Sequence, residues 1–405
     1  MFIARQPIFD KSIKVYGYEL LYRAGEKSQT YDSSSSEKST ATVLGGLFEL
    51  GLDQLVANKK AFVNFDDHFL MSDSIELINA NSLVIEILED TPVTETLLQR
   101  IANLKAKGYK IALDDFAENF EKYPIVPITD IIKYDIMITP LDTIEKDVKQ
   151  ALRQNKILLA EKIETREEFQ KAFDMGFHLF QGYFFSKPSI IGGLLSKKTT
   201  NTVYQRIIAE LHKPEPSYHK IAEIVSTDVN MAYRVMKAGK KLGDEDISKT
   251  IQYALVKMGL HELERWINIL MLQELSAQKP FELVRLSLLR SKFGELIATN
   301  SSFRSRRYEI SLMGLFSVLD AMLDQPMELA LEGVSISNDV KDALIFKKGA
   351  LIPISNIITA YENGHWNEIP QLADAIHIKQ EKLYELYLQS IEWTNNIIEN
   401  FGFKN

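Results

Sequence analysis

Short apolar runs, each too brief for a helix, recur through the first half of the chain at residues 2–9, 15–23, 61–65, 83–88, 109–113, 131–135, 157–163 and 178–185. Most lack strict alternation, which is the pattern of strands buried on both faces. A polar turn at Asp10-Lys11-Ser12 separates the first two, and residues 24–37, with serines 33–36, read as a loop. A helix is expected from there to Leu50, with Gly51 as its stop. Helical spacing fills the later gaps. Thr91-Pro92 opens a stretch with Leu97, Leu98, Ile101 and Leu104 in phase, closed by Lys105, Lys107 and Gly108. Thr165 and Glu168 have the spacing of a capping box, before a helix ending at Gly176. Strand and helix alternate from residue 60 to 185, so the expected class is α/β, as a closed parallel barrel rather than an open sheet.

After Lys187-Pro188 the strand pattern stops. Residues 189–202, with Gly192-Gly193, Lys197-Lys198 and a Thr-rich run, mark the boundary, so the expected domains are 1–195 and 196–405. Helices are expected at residues 203–211, 218–225, 231–238, 247–258, 260–275, 281–299 and 381–399, giving an all-α second half. Trp266, Trp366 and Trp393 read as core or domain-interface residues, and the Arg304–Arg306 cluster with Arg307 reads as a solvated loop.

Polar residues interrupt nearly every apolar strand of the first half. They are Glu19, Asn64, Glu86, Asp114 with Asp115, Lys133, Glu161 and Gln181. Burying such groups is costly unless they are paired or bind a cation. Asp114 and Asp115 share a target only where the strand ends and its backbone turns, because successive side chains point to opposite faces. Taken alone, that pair reads better as a turn or helix cap. With a polar residue on successive strands, it reads as part of a ring at one mouth of a barrel. Carboxylates plus an amide oxygen, without His or Cys, make a hard oxygen site for Mg²⁺ or Mn²⁺.

Composition narrows the function. The 405 residues are 45% hydrophobic and 25% charged, ordinary for a globular chain and long enough for two domains. A net charge of -8 argues against a nucleic-acid polymer or an anionic membrane as partner. The chain has no cysteine, which excludes disulfides, zinc-thiolate sites and Cys nucleophiles and suits a reducing interior. With Arg5 and Asp10 interrupting the start and no long apolar run, the expected location is cytoplasmic.

The motifs Gln6-Pro7-Ile8, Glu19-Leu20-Leu21-Tyr22-Arg23, Val63-Asn64, Glu86 to Glu89, Asp114-Asp115-Phe116, Lys133-Tyr134-Asp135, Ala160 to Thr165 and Gln181-Gly182-Tyr183 resemble, in order, those of the EAL domain. That family comprises bacterial cyclic-di-GMP phosphodiesterases on a modified TIM barrel. The resemblance implies two Mg²⁺ or Mn²⁺ ions per site. Glu19, Asn64, Glu86 and Asp114 would hold the first, and Asp114 and Asp115 the second with Asp135 beside it. It further implies that Lys133 and Glu161 assist the attacking water, and that Gln6, Arg23 and Gln181 contact the dinucleotide. The second half is similar to the HDOD domain in residues 224–238 and 251–259. No histidine is followed by Asp, so the catalytic His-Asp pair of the related HD hydrolases is missing and a non-catalytic signalling or docking role is implied. EAL followed by HDOD resembles a bacterial two-domain type, the YuxH-like proteins, with an unidentified signalling protein as the helical domain's partner.

Three departures bear on activity. Glu-Ala-Leu is Glu19-Leu20-Leu21 here, and the family's Gly after the second glutamate is Lys162. The Gly/Thr/Ser-rich loop of active members is residues 117–124, bulky and charged. In the family that loop couples metal binding to a homodimer through the barrel, anchored by the residue matching Glu89. The expectation is a cyclic-di-GMP phosphodiesterase producing linear pGpG. The alternative is a degenerate barrel acting as a cyclic-di-GMP receptor or interaction scaffold.

Overall fold

The computed structural model describes residues 2–23, 51–65, 67–89, 91–186, 202–228, 231–232, 235, 251–275, 279–332, 334 and 336–401. The helix expected before Leu50 and the boundary at 189–202 fall outside the described residues, apart from Thr202.

Eight strands close into a barrel in chain order. They are β1 (Phe2–Asp10), β2 (Val15–Arg23), β3 (Lys60–Phe65), β4 (Leu83–Ile87), β5 (Lys110–Leu113), β6 (Ile131–Asp135), β7 (Ile157–Glu161) and β8 (Leu179–Phe180). β1 runs antiparallel to both neighbours, β2 and β8, while the remaining pairs are parallel. The short turn after Asp10 accounts for this, because a tight turn joins only antiparallel strands and a parallel pair needs a long crossover.

Among the described residues the longer helices of this half are α1 (Glu95–Ala106), α2 (Glu145–Arg153) and α3 (Arg166–Met175). α1 starts later than Thr91-Pro92 suggests, because Thr94 caps it by accepting from the Leu97 N–H at 3.2 Å. α3 has the expected capping box between Thr165 and Glu168 and ends at Gly176. Two strands are shorter than their apolar runs. β7 stops at Glu161 because Lys162 turns left-handed, at φ 57°. β8 stops at Phe180, and Gly182 then passes so close to Ile163 that a Cβ would lie 2.3 Å from its backbone.

The second half is helical. Helices at Thr202–Leu211, Tyr218–Ser226, Ile251–Met258 and Leu260–Leu275 match the expected spacing, and only 231, 232 and 235 of the 231–238 segment are described. α4 (Phe281–Thr299) is buried along most of its length. It lies against α5 (Arg307–Phe316) so closely that a Cβ on Gly314 would meet the Arg290 backbone at 2.5 Å. Further along lie α6 (Ile352–Glu362) and α7 (Gln380–Phe401). The arginine cluster is less free than expected, since Arg306 pairs with Glu309 and Asp339. Among the described residues no helix is long and apolar enough to cross a membrane.

The helical half packs against β1 and β2. Phe2 stacks on Trp366, rings 5.5 Å apart and nearly parallel. The Arg5 guanidinium lies over the Tyr18 ring at 4.6 Å, and the Tyr18 hydroxyl donates to Glu282 Oε2 at 2.8 Å. Asn395 of α7 donates to the Gln54 carbonyl at 2.9 Å. Buried apolar side chains of both halves form one continuous core.

Candidate active site

An apolar layer plugs the barrel: Ile8, Phe62, Val84, Ala112, Ile131, Leu159 and Leu179, with Tyr16 packed against it. Side chains two apart on a strand share a face. Stepping two residues toward the mouth from each of the seven gives Gln6 on the reversed β1, then Asn64, Glu86, Asp114, Lys133, Glu161 and Gln181. On β2, a bulge between the pairs Ile8↔Gly17 and Phe9↔Val15 resets the phase, so that Glu19 lies opposite Gln6. One polar side chain from each strand, or the residue just past its end, thus forms a layer above the plug. The sequence pattern marks seven of these positions; Gln6 is reached only through the family resemblance.

Lys133 is the hub. It is fully buried, and its Nζ lies 2.6 Å from Glu86 Oε1 and Asp114 Oδ1, 3.0 Å from Glu161 Oε1 and 3.4 Å from Glu19 Oε1. Burial opposes its charge, but these four carboxylates together outweigh burial and hold its pKa well above the usual lysine value. One ammonium does not balance four carboxylates. Burial, with Glu19 and Asp114 nearby, pushes the Glu161 carboxyl up to about 8 despite Lys133. Burial likewise raises Glu86.

The strand ends where the twin aspartates begin. Asp114 N–H still bonds the Ile87 carbonyl at 3.0 Å, and Asp115 then turns to φ 39°. That turn brings both carboxylates to one side: oxygens of Asp114, Asp115 and Glu161 lie within 4.8 Å of one another. Burial and the neighbouring Asp114 raise the Asp115 pKa.

The donor set fits a hard divalent cation. Asn64 donates through Nδ2 to Glu19 Oε1 at 3.4 Å, leaving its buried Oδ1 with no hydrogen-bond partner among the described residues. Glu86 is fully buried, its Oε1 paired with the Lys133 ammonium at 2.6 Å and its Oε2 without a hydrogen bond among the described residues. Unpartnered buried oxygens of this kind are ligand atoms in waiting.

Asp135 sits one step beyond Lys133, in register with Glu161. Its Oδ1 accepts from the Met137 N–H at 2.8 Å and its Oδ2 is paired with the Lys162 ammonium. Sequence reasoning assigned Asp135 to the site but gave Lys162 no partner. Glu89 is exposed just past β4, and the side chain of Arg23 lies outside the described residues. The 117–124 loop folds around its own aromatics: Phe116 meets Phe120, Tyr123 and Tyr134 edge-on.

Gln181 Nε2 donates to Glu19 Oε2 at 2.7 Å and to Gln6 Oε1 at 3.1 Å. Its own Oε1 is buried without a partner among the described residues. The Gln6 Nε2 in turn donates to the Glu362 carbonyl of the helical half at 3.3 Å. No sequence signal connected these two positions.

Comparison with known proteins gives matches to both halves of the chain. Residues 1–188 match the EAL domain family model and residues 198–317 the HDOD domain model. The chain is 32% identical to the uncharacterized protein YuxH of Bacillus subtilis, over 98% of this chain and 99% of that one. It is 31% identical to the cyclic di-GMP phosphodiesterase CdgJ of Vibrio cholerae, over 98% of this chain and 93% of that one. A solved structure of Bacillus subtilis YkuI, an EAL-domain protein in complex with substrate c-di-GMP and calcium, is 23% identical with a TM-score of 0.40, covering 65% of this chain and 73% of that one.

Proposed function

The chain belongs to the EAL–HDOD family, and from that membership and the polar layer we propose that it is a phosphodiesterase hydrolysing cyclic-di-GMP to linear pGpG. The observation that carries this reading is the inward layer with one polar residue from each strand and, among the described residues, its unpartnered Asn64 Oδ1 and Glu86 Oε2.

Glu19, Asn64, Glu86 and Asp114 would hold one Mg²⁺ or Mn²⁺, and Asp114 and Asp115, with Asp135 beside them, a second. Divalent ions bound there neutralise the phosphodiester charge and lower the pKa of a water. Glu161, a carboxyl with an affinity for protons suited to neutral pH, takes the proton of the attacking water. Water oxygen joins phosphorus and the P–O3′ bond breaks, leaving a 5′-phosphate and a free 3′-hydroxyl. Lys133 holds the carboxylates in one cluster and faces the same water. Gln6, Gln181 and Arg23 bind the dinucleotide, Arg23 through the paired donors that suit phosphate. Such an enzyme works in the cytoplasm, with the helical half as its regulatory or docking module.

A receptor without turnover is the second reading, and the Lys162–Asp135 pair favours it, because that ammonium occupies a carboxylate the second metal would use. Purified protein incubated with cyclic-di-GMP and Mn²⁺ or Mg²⁺, with nucleotides separated by chromatography, decides between them. Turnover is expected, and Glu19→Ala and Glu161→Ala should each lower it at least about a hundredfold. Nucleotide binding without pGpG establishes the receptor.

A further inference from the structure

A continuous hydrogen-bonded chain leads from the helical half into the polar layer. On α4, Arg290 grips Glu362 with two prongs, Nε to Oε1 at 2.8 Å and Nη2 to Oε2 at 2.7 Å. Arg290 also reaches Ser317 Oγ at 3.2 Å, just past the end of α5. Glu362 is the last residue of α6, and the final carbonyls of a helix have no intrahelical partner. Its carbonyl accepts from Gln6 Nε2 at 3.3 Å. Gln6 Oε1 then accepts from Gln181 Nε2 at 3.1 Å, and the same Nε2 donates to Glu19 Oε2 at 2.7 Å.

The direction of this chain follows from the chemistry of the amide. A primary amide has a donor end and an acceptor end, and flipping it exchanges them. Were Gln6 flipped, its oxygen would face the Glu362 carbonyl and its NH₂ would face the NH₂ of Gln181, so both contacts would turn repulsive. A helix-end carbonyl therefore selects the Gln6 orientation that lets Gln181 bond Glu19. With its NH₂ committed twice, Gln181 is left with one buried, unpartnered oxygen.

We propose that Arg290 and Glu362 are positioning residues for the barrel's substrate site: through the α6 terminus they orient Gln6, and through Gln6 the Gln181 amide. This rests on the phosphodiesterase reading. The helical half thereby supplies part of the wall of the substrate site. Whatever shifts α4 against α6 changes the affinity for the dinucleotide before it changes the chemistry.

The test compares Arg290→Gln, Gln6→Ala and the double variant in the full chain, by steady-state kinetics on cyclic-di-GMP with Mn²⁺, after circular dichroism confirms that each is folded. Arg290→Gln should raise KM roughly tenfold with kcat within about twofold, the split expected when binding contacts are lost. The double variant should be no worse than Gln6→Ala alone, because both act through one amide. Arg290→Lys should recover part of the loss by keeping the charge on Glu362. An unchanged KM in Arg290→Gln, or effects that add in the double variant, overturns the proposal. If wild type binds cyclic-di-GMP without hydrolysing it, the turnover reading fails and the same comparison of Kd by calorimetry judges the linkage alone. If wild type neither binds nor hydrolyses, both fall.

Discussion

Lys133 Nζ and Glu161 Oε1 lie 3.0 Å apart, with the lysine fully buried and Glu161 nearly so. Lys133 is the cation that lets Glu86, Asp114, Glu161 and Glu19 share one small volume in the absence of metal. Removing one partner from a buried ion pair costs about 3–5 kcal/mol, because the other charge is left uncompensated. Lys133→Met should therefore destabilise the metal-free protein by about that amount in urea unfolding, and Mn²⁺ should restore more stability to the variant than to wild type. An unchanged unfolding midpoint would show that Lys133 does not hold the cluster together.

The raised Glu161 carboxyl predicts a pH dependence. A carboxyl whose folded pKa lies above its ordinary value of 4.5 contributes stability that is fully present below that value and is lost as the pH rises through about 8. Without metal, the thermal midpoint should fall across that window. A cation bound beside Glu161 favours its ionised form, so apparent Mn²⁺ affinity should rise by up to about tenfold per pH unit and level off near pH 8. Calorimetry in buffers of different ionisation enthalpy would detect the released proton. A pH-independent affinity would show that the Glu161 charge does not act on the bound cation.

Lys162 restrains Asp135. Lys162→Gly removes the ammonium and suits the left-handed φ of 57°, where glycine is at ease. A second Mn²⁺ should then bind several-fold more tightly by calorimetric titration, with little change in thermal stability. An isotherm identical to wild type would mean that Asp135 takes no part in holding that ion.

The barrel depends on the helical half through Tyr18. Its hydroxyl donates to the buried Glu282, whose carboxyl burial raises. Tyr18→Phe removes the nearest donor to that oxygen, leaving the Arg285 guanidinium at 3.5 Å, and should cost about 1–3 kcal/mol in urea unfolding. A loss below the error of the measurement would show that Glu282 is satisfied by other groups.

The fold and most of the site were legible because barrel strands repeat every two residues. Once an apolar plug residue such as Phe62 or Val84 is buried, its i+2 neighbour, Asn64 or Glu86, must share its face. The capping box of α3 and the convergence of Asp114 with Asp115 at a strand end were equally local. The loop at 117–124 was legible as altered, but its aromatic packing on Tyr134 depends on residues from another strand.

What the sequence determined by itself was therefore the class of each half and the layer of polar residues with its hard oxygen donors, since these follow from short-range periodicity and donor type. Tertiary structure alone decided the partners: Lys133 among four carboxylates, Lys162 on Asp135, Glu282 beneath Tyr18 and the Glu362 carbonyl on Gln6. Those contacts join strands and helices tens to hundreds of residues apart. No local pattern records them, because a side chain's partner is set by where the packed elements come to rest.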